Sequence, residues 1–242
     1  MNDMYRSARR YETAVTGMQN ELMMWSVASD LLLKEACRKR LGRLSGLDLC
    51  CGPGSFANKL AAKYLALDIV GVDLNQEFVR FATDTYGGRG WRFICQDVSS
   101  LDIPERFDVV MASSAYHHIP DQDKLHFLSV ANDYLDEDGM VLVCENFLPN
   151  AYERREDNVR MYYRELIRAY TFQGMGTRKA VIAIRQARRQ ELAGENEHKV
   201  TLKQFQEAVS ASGLFVETCI PVWNPVPDEE WGSYVFVLRK VS

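Results

Sequence analysis

A chain of 242 residues and 27.7 kDa suits one large domain, or one domain carrying an inserted cap. Hydrophobic residues make up 47% and charged residues 26%, which excludes a disordered or low-complexity chain. A net charge of −4 argues against a general polyanion binder, and no apolar run approaches the ~20 residues that a membrane span needs.

The N-terminus, MNDMYRSARRYE, mixes acids with bases and has no apolar centre, so it does not read as a secretory signal. Residues 18–42 carry Met18, Leu22, Trp25 and Leu32 broadly on one side, which predicts a helix. The apolar run GLDLC (46–50) predicts a strand buried on both faces, ended by CGPG. Phe56, Leu60 and Tyr64 then fall at i, i+4, i+8 on one helix face. DIVGVD (68–73) is a second strand. Asn75 is placed to cap a helix through Phe78 and Phe81 that stops at Gly87–Gly88.

WRFIC (91–95) and FDVVMAS (107–113) are the third and fourth strands. Leu125, Leu128, Ala131 and Leu135 mark another helix, and Asp138–Gly139 a turn into a fifth strand, MVLVCEN (140–146). Residues 151–193 read as helical, broken at Gly174 and Gly176, with ten basic and five acidic residues. LAGENEH (192–198) reads as a polar loop. Thr201 caps a helix carrying Leu202, Phe205 and Val209. Strands 214–222 and 233–239, joined by a loop with two prolines and DEE, suit an antiparallel hairpin. Strand–helix alternation with short connections predicts an α/β fold with a parallel sheet covered on both faces. Six cysteines, at 37, 50, 51, 95, 144 and 219, form no CxxC pair and no zinc-type cluster. They point to a reduced, cytoplasmic protein without structural metal or disulfide.

LDLCCGPGS (47–55) follows a strand and opens a helix. Gly52 and Gly54 allow tight curvature and close approach of backbone to a ligand, and the helix start offers free N–H groups. Asp73 comes nineteen residues after Gly54, at a strand end, where an acid can accept from both ribose hydroxyls. A structural turn plus a capping Asp is the blander alternative, and the spacing to Asp73 weighs against it. A nicotinamide fingerprint would need glycines at 50, 52 and 55; the chain has Cys50, Gly52 and Ser55.

The run Asp48-x-x-x-Gly52-x-Gly54 resembles instead the first motif of class I S-adenosylmethionine-dependent methyltransferases. The resemblance covers about residues 45–147 and the final strands. It implies a Rossmann-like seven-stranded sheet, mostly parallel with a C-terminal antiparallel hairpin, an N-terminal helix, and a helical cap inserted after strand five. The expected segments are a lid (1–44), a cofactor-binding core (45–150), a cap (151–198) and the last helix and strands of the core (199–242). By resemblance, Asp48 to Gly54 wraps the methionine half of S-adenosylmethionine, with Cys50 in place of the usual first glycine. Asp73 then holds the ribose, Leu74 lies beside the adenine, Asp97 meets the adenine amino group and Val98 the ring. FDVVMASSAYHHIP is similar to the fourth motif, whose strand end, here with Ser113, lies near the sulfonium. DEDGMVLVCENF is similar to the fifth-strand segment. The implied donor is S-adenosylmethionine, leaving S-adenosylhomocysteine, with no metal.

A sulfonium methyl is already activated, so alignment and exclusion of water do most of the work, and a base helps only a protonated nucleophile. Tyr116, His117 and Glu145 are the catalytic candidates at the ends of strands four and five, because histidine accepts protons near neutrality. Adjacent histidines that only shape a wall, and a Glu145 that caps a buried turn, are the alternative. His126 and His198 read as surface residues. His118, Asn146, Met18, Tyr162, Arg164 and Arg189 are the acceptor-binding candidates. Arg164, Arg168, Arg185 and Arg189, with Tyr162, Tyr163 and Tyr170, would suit an anionic acceptor; a solvated basic helix face is the competing account.

The layout also has a fainter likeness to the carboxy-S-adenosylmethionine synthase branch, which acts in tRNA wobble-uridine modification. That branch holds a carboxylate with an arginine near the position of Arg189, but its tyrosine and asparagine align with Met18 and Ser113. The expected function is therefore methyl transfer to a small, anionic metabolite or biosynthetic intermediate. The alternatives are carboxymethyl or other alkyl chemistry on the same sulfonium, and a non-catalytic cofactor-binding protein. The expected partner is a small molecule rather than a membrane or nucleic acid, with tRNA kept open by the arginines of the insert and a homodimer by the sequence's silence on assembly.

Overall fold

The computed structural model describes residues 7–63, 66–195, 197–226 and 229–241. Tyr64, Asn196, Pro227, Asp228 and the initial MNDMYR, named above, lie outside the described residues. Two helices come first, α1 (Ala8–Val15) and α2 (Gln19–Lys39). The hydrophobic pattern does not predict α1, which buries only Ala8, Ala14 and Val15. Then follow β1 (Leu44–Leu49), α3 (Ser55–Lys63), β2 (Leu67–Asp73), α4 (Gln76–Tyr86), β3 (Arg92–Cys95), β4 (Phe107–Ser113), α5 (Lys124–Asp133) and β5 (Leu135–Phe147). The helical pair α6 (Arg155–Phe172) and α7 (Arg178–Ala193) precedes α8 (Leu202–Ala211), β6 (Leu214–Trp223) and β7 (Gly232–Lys240).

The seven strands form one sheet in the order β3-β2-β1-β4-β5-β7-β6. β1 to β5 pair in parallel, and β7 lies antiparallel between β5 and β6. This is the expected α/β class, with the hairpin as the antiparallel end. Strand order reverses between β1 and β4, so a crevice opens at their carboxyl ends, where open α/β sheets take ligands.

Local signals hold at the helix starts. The Asn75 side chain accepts from Glu77 N at 2.9 Å and Phe78 N at 3.4 Å. Thr201 and Gln204 form a reciprocal capping box at α8. One boundary differs from the pattern. α5 ends at Asp133, and Leu135 opens β5 instead of closing the helix; Asp138 and Gly139 lie within that strand. Phe107 pairs with Leu135 but Val109 with Met140, so the ladder shifts register there. Leu135 is fully buried in the core that also holds Phe107, which draws it into the sheet.

The sheet separates two apolar layers. Leu47, Val110, Phe127, Phe205 and Phe236 fill one. Trp25, Leu32, Leu60, Met111 and Leu142 fill the other, so α2 is a layer of the core and not only a cover. A third cluster, with Tyr162, Tyr163, Tyr170 and Trp231, binds α6 and α7 to the hairpin end.

α2 is also pinned by charge. Glu35, 4% exposed, accepts from Arg239 at 2.9 Å and from Arg38 at 2.8 Å. Burial alone would raise its carboxyl, yet the two guanidinium groups bring it down to about 2. A depressed folded-state value stabilises the fold above the ordinary carboxylate range and is lost as pH falls toward 2. Glu35→Gln is expected to lower unfolding free energy at pH 7 by about 3 kcal/mol, the size of that shift at ~1.4 kcal/mol per unit. Urea unfolding at pH 7 and pH 3 checks it: the deficit should shrink at pH 3, and equal stability of the two chains at pH 7 would refute it.

Candidate active site

The glycine bend after β1 is conformationally special. Cys50, Gly52 and Gly54 have φ of 57°, 55° and 82°, all left-handed. A Cβ on Gly54 would stand 3.0 Å from the Tyr86 ring, so only glycine fits there without displacement. Asp73 closes the bend: its Oδ2 accepts from Gly52 N at 2.8 Å and its Oδ1 from Asn75 N at 2.8 Å. Each oxygen keeps a lone pair for a further donor. Burial raises the Asp73 carboxyl from its ordinary value. Asp48 is 1% exposed, and its Oδ2 has no hydrogen-bond partner among the described residues; burial pushes its carboxyl up as well. Leu74 stands 72% exposed beside Asp73. Asp97 caps the turn after β3 by accepting from Ser99 N at 2.8 Å, and Val98 is buried below it.

An orphaned buried carboxylate oxygen, a bend open to backbone approach and an apolar side chain beside a ribose-type acid fit an adenosyl group. α1 lies over this bend. Tyr11 comes within 3.7 Å of a Cβ built on Gly52 and packs on Phe78, while Glu12 accepts from Ser55 Oγ at 3.3 Å and Tyr86 OH at 3.4 Å.

The second half of the site follows β4. Ser113 Oγ accepts from Trp25 Nε1 at 2.8 Å, and Ser114 adopts φ of 50° to turn the chain. A short helical turn, Tyr116–His118, is tied down by Lys124, whose Nζ donates to Tyr116 O and Ile119 O at 2.8 Å each. Burial brings the Lys124 ammonium down to about 8.

His117 Nδ1 lies 2.6 Å from Glu145 Oε1 on β5. The same carboxylate accepts from Asn146 N at 2.7 Å and His117 N at 3.2 Å. Those backbone donors favour the carboxylate form, although burial raises Glu145. The imidazole proton is therefore assigned to Nδ1 and the lone pair to Nε2. Burial, then the charge of Lys199, holds His117 well below its ordinary value, so the ring is neutral.

Its Nε2 faces a cavity of about 630 Å³, counted with its mouth, between α1, α2, the 114–118 turn and the α6–α7 pair. Met18, His118, Asn146 and Tyr162 line the same cavity. So do Tyr163, grouped above with the insert's arginines, and Asn20, Glu21, Glu197 and Lys199, which the sequence does not mark as site residues. Glu21 accepts from Ser114 Oγ at 2.6 Å and Asn146 Nδ2 at 3.0 Å. It sits on the apolar stripe of α2, three residues after Met18 and four before Trp25, and an acid on such a stripe is a legible signal. Glu197 and Lys199, in a segment read as polar loop and its edge, are 3% and 5% exposed. Nothing local marks them for burial.

Three candidates fall elsewhere. The Tyr116 ring turns into the core against Phe127 and Phe205, with burial raising its phenol, so it does not face the cavity. Arg164 points outward, 64% exposed and paired with Glu165. Arg189 is exposed with Arg185, where they and Arg188 line a separate hollow beside Ile167 and Leu192. The apolar stripes of α6 and α7 face inward, which turns these arginines to solvent. His126 is exposed and His198 half-buried.

His117, His118 and Glu197 bring donor atoms within 4.8 Å of one another, a spacing that suits a cation. Lys199 Nζ already contacts Glu197 Oε2, so positive charge is supplied from within the chain. No helix among the described residues is long and apolar enough to cross a membrane.

Comparison with known proteins agrees with this geometry. Residues 47–139 match the model of a methyltransferase domain. An uncharacterized methyltransferase of Alkaliphilus oremlandii (strain OhILAs) is 20% identical over 149 residues, covering 62% of this chain and 68% of that protein. A S-adenosylmethionine-dependent methyltransferase from Clostridium acetobutylicum ATCC 824 shares the fold with a TM-score of 0.59 and 15% identity, over 90% of this chain and 92% of that one. The mitomycin 7-O-methyltransferase MmcR superposes with a TM-score of 0.56 and 16% identity, over 83% of this chain. The chain spans only 50% of the length of MmcR. Residues 47–139, with the bend, the acid and the strand order, are similar to the methyltransferase domain of the class I S-adenosylmethionine-dependent enzymes.

Proposed function

We propose that the protein transfers the methyl group of S-adenosylmethionine to a hydroxyl of a small acceptor, with His117 as general base. The carrying observation is the Glu145–His117 pair, whose free Nε2 opens into a cavity next to the glycine bend. S-adenosylmethionine supplies an electrophilic methyl. The bend from Asp48 to Gly54, Asp73 and Leu74 are the residues that would hold it. Glu145 orients the imidazole; His117 Nε2 takes the acceptor's hydroxyl proton as the oxygen attacks; the α1 and α6–α7 cover excludes water. MmcR, by its name an O-methyltransferase, is a fold neighbour of matching chemistry.

The acceptor is proposed to be uncharged. Lys199 is the described lysine or arginine lining the cavity, and it is engaged by Glu197 and Glu191. The anionic acceptor expected from the insert's arginines loses its support because Arg164 and Arg189 face solvent. Among the described residues the same placement leaves no arginine at the cavity to hold the extra carboxylate of a carboxymethyl donor.

Incubation with S-adenosylmethionine and a panel of neutral and carboxylated phenols, followed by mass spectrometry, tests this reading. Release of S-adenosylhomocysteine with a product heavier by one methylene supports it. Methylthioadenosine would signal a different displacement. Asp73→Ala is expected to weaken S-adenosylmethionine binding by about 1–3 kcal/mol through loss of charged hydrogen bonds. Calorimetry with the donor alone reads it, and unchanged affinity would refute the ribose assignment.

A further inference from the structure

We propose that Lys199 is a positioning residue of this site: its buried ammonium, acting through Glu197, keeps the His117 imidazole unprotonated and its Nε2 free for the acceptor. The inference rests on the reading of His117 as the base, and it concerns a segment to which that reading assigns no role.

The segment after α7 crosses the 116–118 turn as a strap. His198 N donates to His117 O at 2.6 Å and docks it there. Glu197 and Lys199, on either side of His198, both line the cavity. Lys199 Nζ contacts Glu197 Oε2, Tyr163 OH at 3.2 Å and Glu191 Oε2 at 3.4 Å. Glu191 also pairs with Arg155, so two acids and two bases balance at the base of the helical pair.

Glu197 Oε2 lies 3.7 Å from His117 Nε2, too far for a hydrogen bond but close for a charge. His117 therefore stands between two buried carboxylates, Glu145 on Nδ1 and Glu197 beyond Nε2. Such a ring would ordinarily gain a proton, and an imidazolium cannot act as a base. The remaining charges about it are Lys199 on the strap, His118 in the turn and Lys124 on α5. Lys199 is the largest of these and opposes Glu197. In turn, Glu197 keeps a charge despite its burial because Lys199 favours the carboxylate. The ammonium therefore lets an acid sit near the base without protonating it.

The test needs no acceptor. The chain has four histidines, His117, His118, His126 and His198, so their ring nitrogens can be followed by nitrogen-15 NMR in the full-length protein and assigned with His117→Gln. In the wild type His117 should stay neutral, protonated on Nδ1, to well below its ordinary range. In Lys199→Met its titration should move up by about one pH unit or more, the shift expected for an unbalanced carboxylate nearby. Lys199→Arg should restore the wild-type curve, and Glu197→Gln, which keeps the ammonium, should move it the other way. An unchanged His117 titration in folded Lys199→Met overturns the proposal. If that chain does not fold, an unchanged titration in Glu197→Gln does so. A His117→Ala protein that still turns over would sink the base reading and leave this titration untouched, so the two failures are distinguishable.

Discussion

His117→Ala is expected to lower kcat by about 10²- to 10⁴-fold, the usual worth of a positioned general base, with S-adenosylmethionine affinity retained. The separation follows from geometry. His117 lines the cavity beneath α6 and α7, whereas the donor site proposed above is the bend closed by Asp73. Because burial and Lys199 hold His117 well below its ordinary value, the wild-type rate should stay flat from neutral pH down past the usual imidazole range. The acid limb of kcat/KM belongs to the coupled Glu145–His117 pair and not to one residue. Initial rates of S-adenosylhomocysteine release, with calorimetry of donor binding in parallel, read both effects. Wild-type turnover in the variant would return His117 to a wall-forming role, and a rate that falls away between pH 7 and pH 6 would contradict the neutral ring.

The second large effect is on the support beneath that turn. Phe205 on α8 is fully buried, with ring centroids 5.1 Å from Tyr116, 5.2 Å from Phe147 and 4.9 Å from Phe236. Phe205→Ala is expected to lower unfolding free energy by about 3–5 kcal/mol, the range for removing a core phenylalanine. Tyr116 precedes His117 directly, so the same cavity frees the turn that aims the base. The variant should lose turnover more than donor affinity, and Phe205→Leu should recover most of both. Urea unfolding gives the first quantity, and a loss below about 1 kcal/mol would show that the aromatic cluster collapses to fill the gap.

Sequence and structure agree where the physics is local. Apolar runs of strand length place β1, β2 and β4 within about two residues, and Asn75 and Thr201 cap the helices that their chemistry suits. The bend at Gly52 and Gly54 needs backbone conformations that glycine adopts readily, so it is legible in the letters alone. α1 escapes because a short, mostly polar helix buries little, and Leu135 escapes because a leucine satisfies either a helix face or a strand. Tyr116 reads as a site residue by adjacency to His117, yet successive residues in a turn point in different directions, and its ring joins the core.

The arginines of the helical insert illustrate the same limit. Composition alone places Arg164 and Arg189 near an anionic acceptor; the inward apolar stripes of α6 and α7 turn them to solvent. Alternation, turn chemistry and the spacing from bend to acid are short-range constraints, and they were enough to place the parallel strands and to mark the bend and Asp73 from the letters. Apart from Glu145, the neighbours of His117 were decided only by folding, because Glu21 comes from α2 and Glu197 and Lys199 from the segment after α7. Burial sets their charges, and burial is a property of the assembled fold that no single stretch carries.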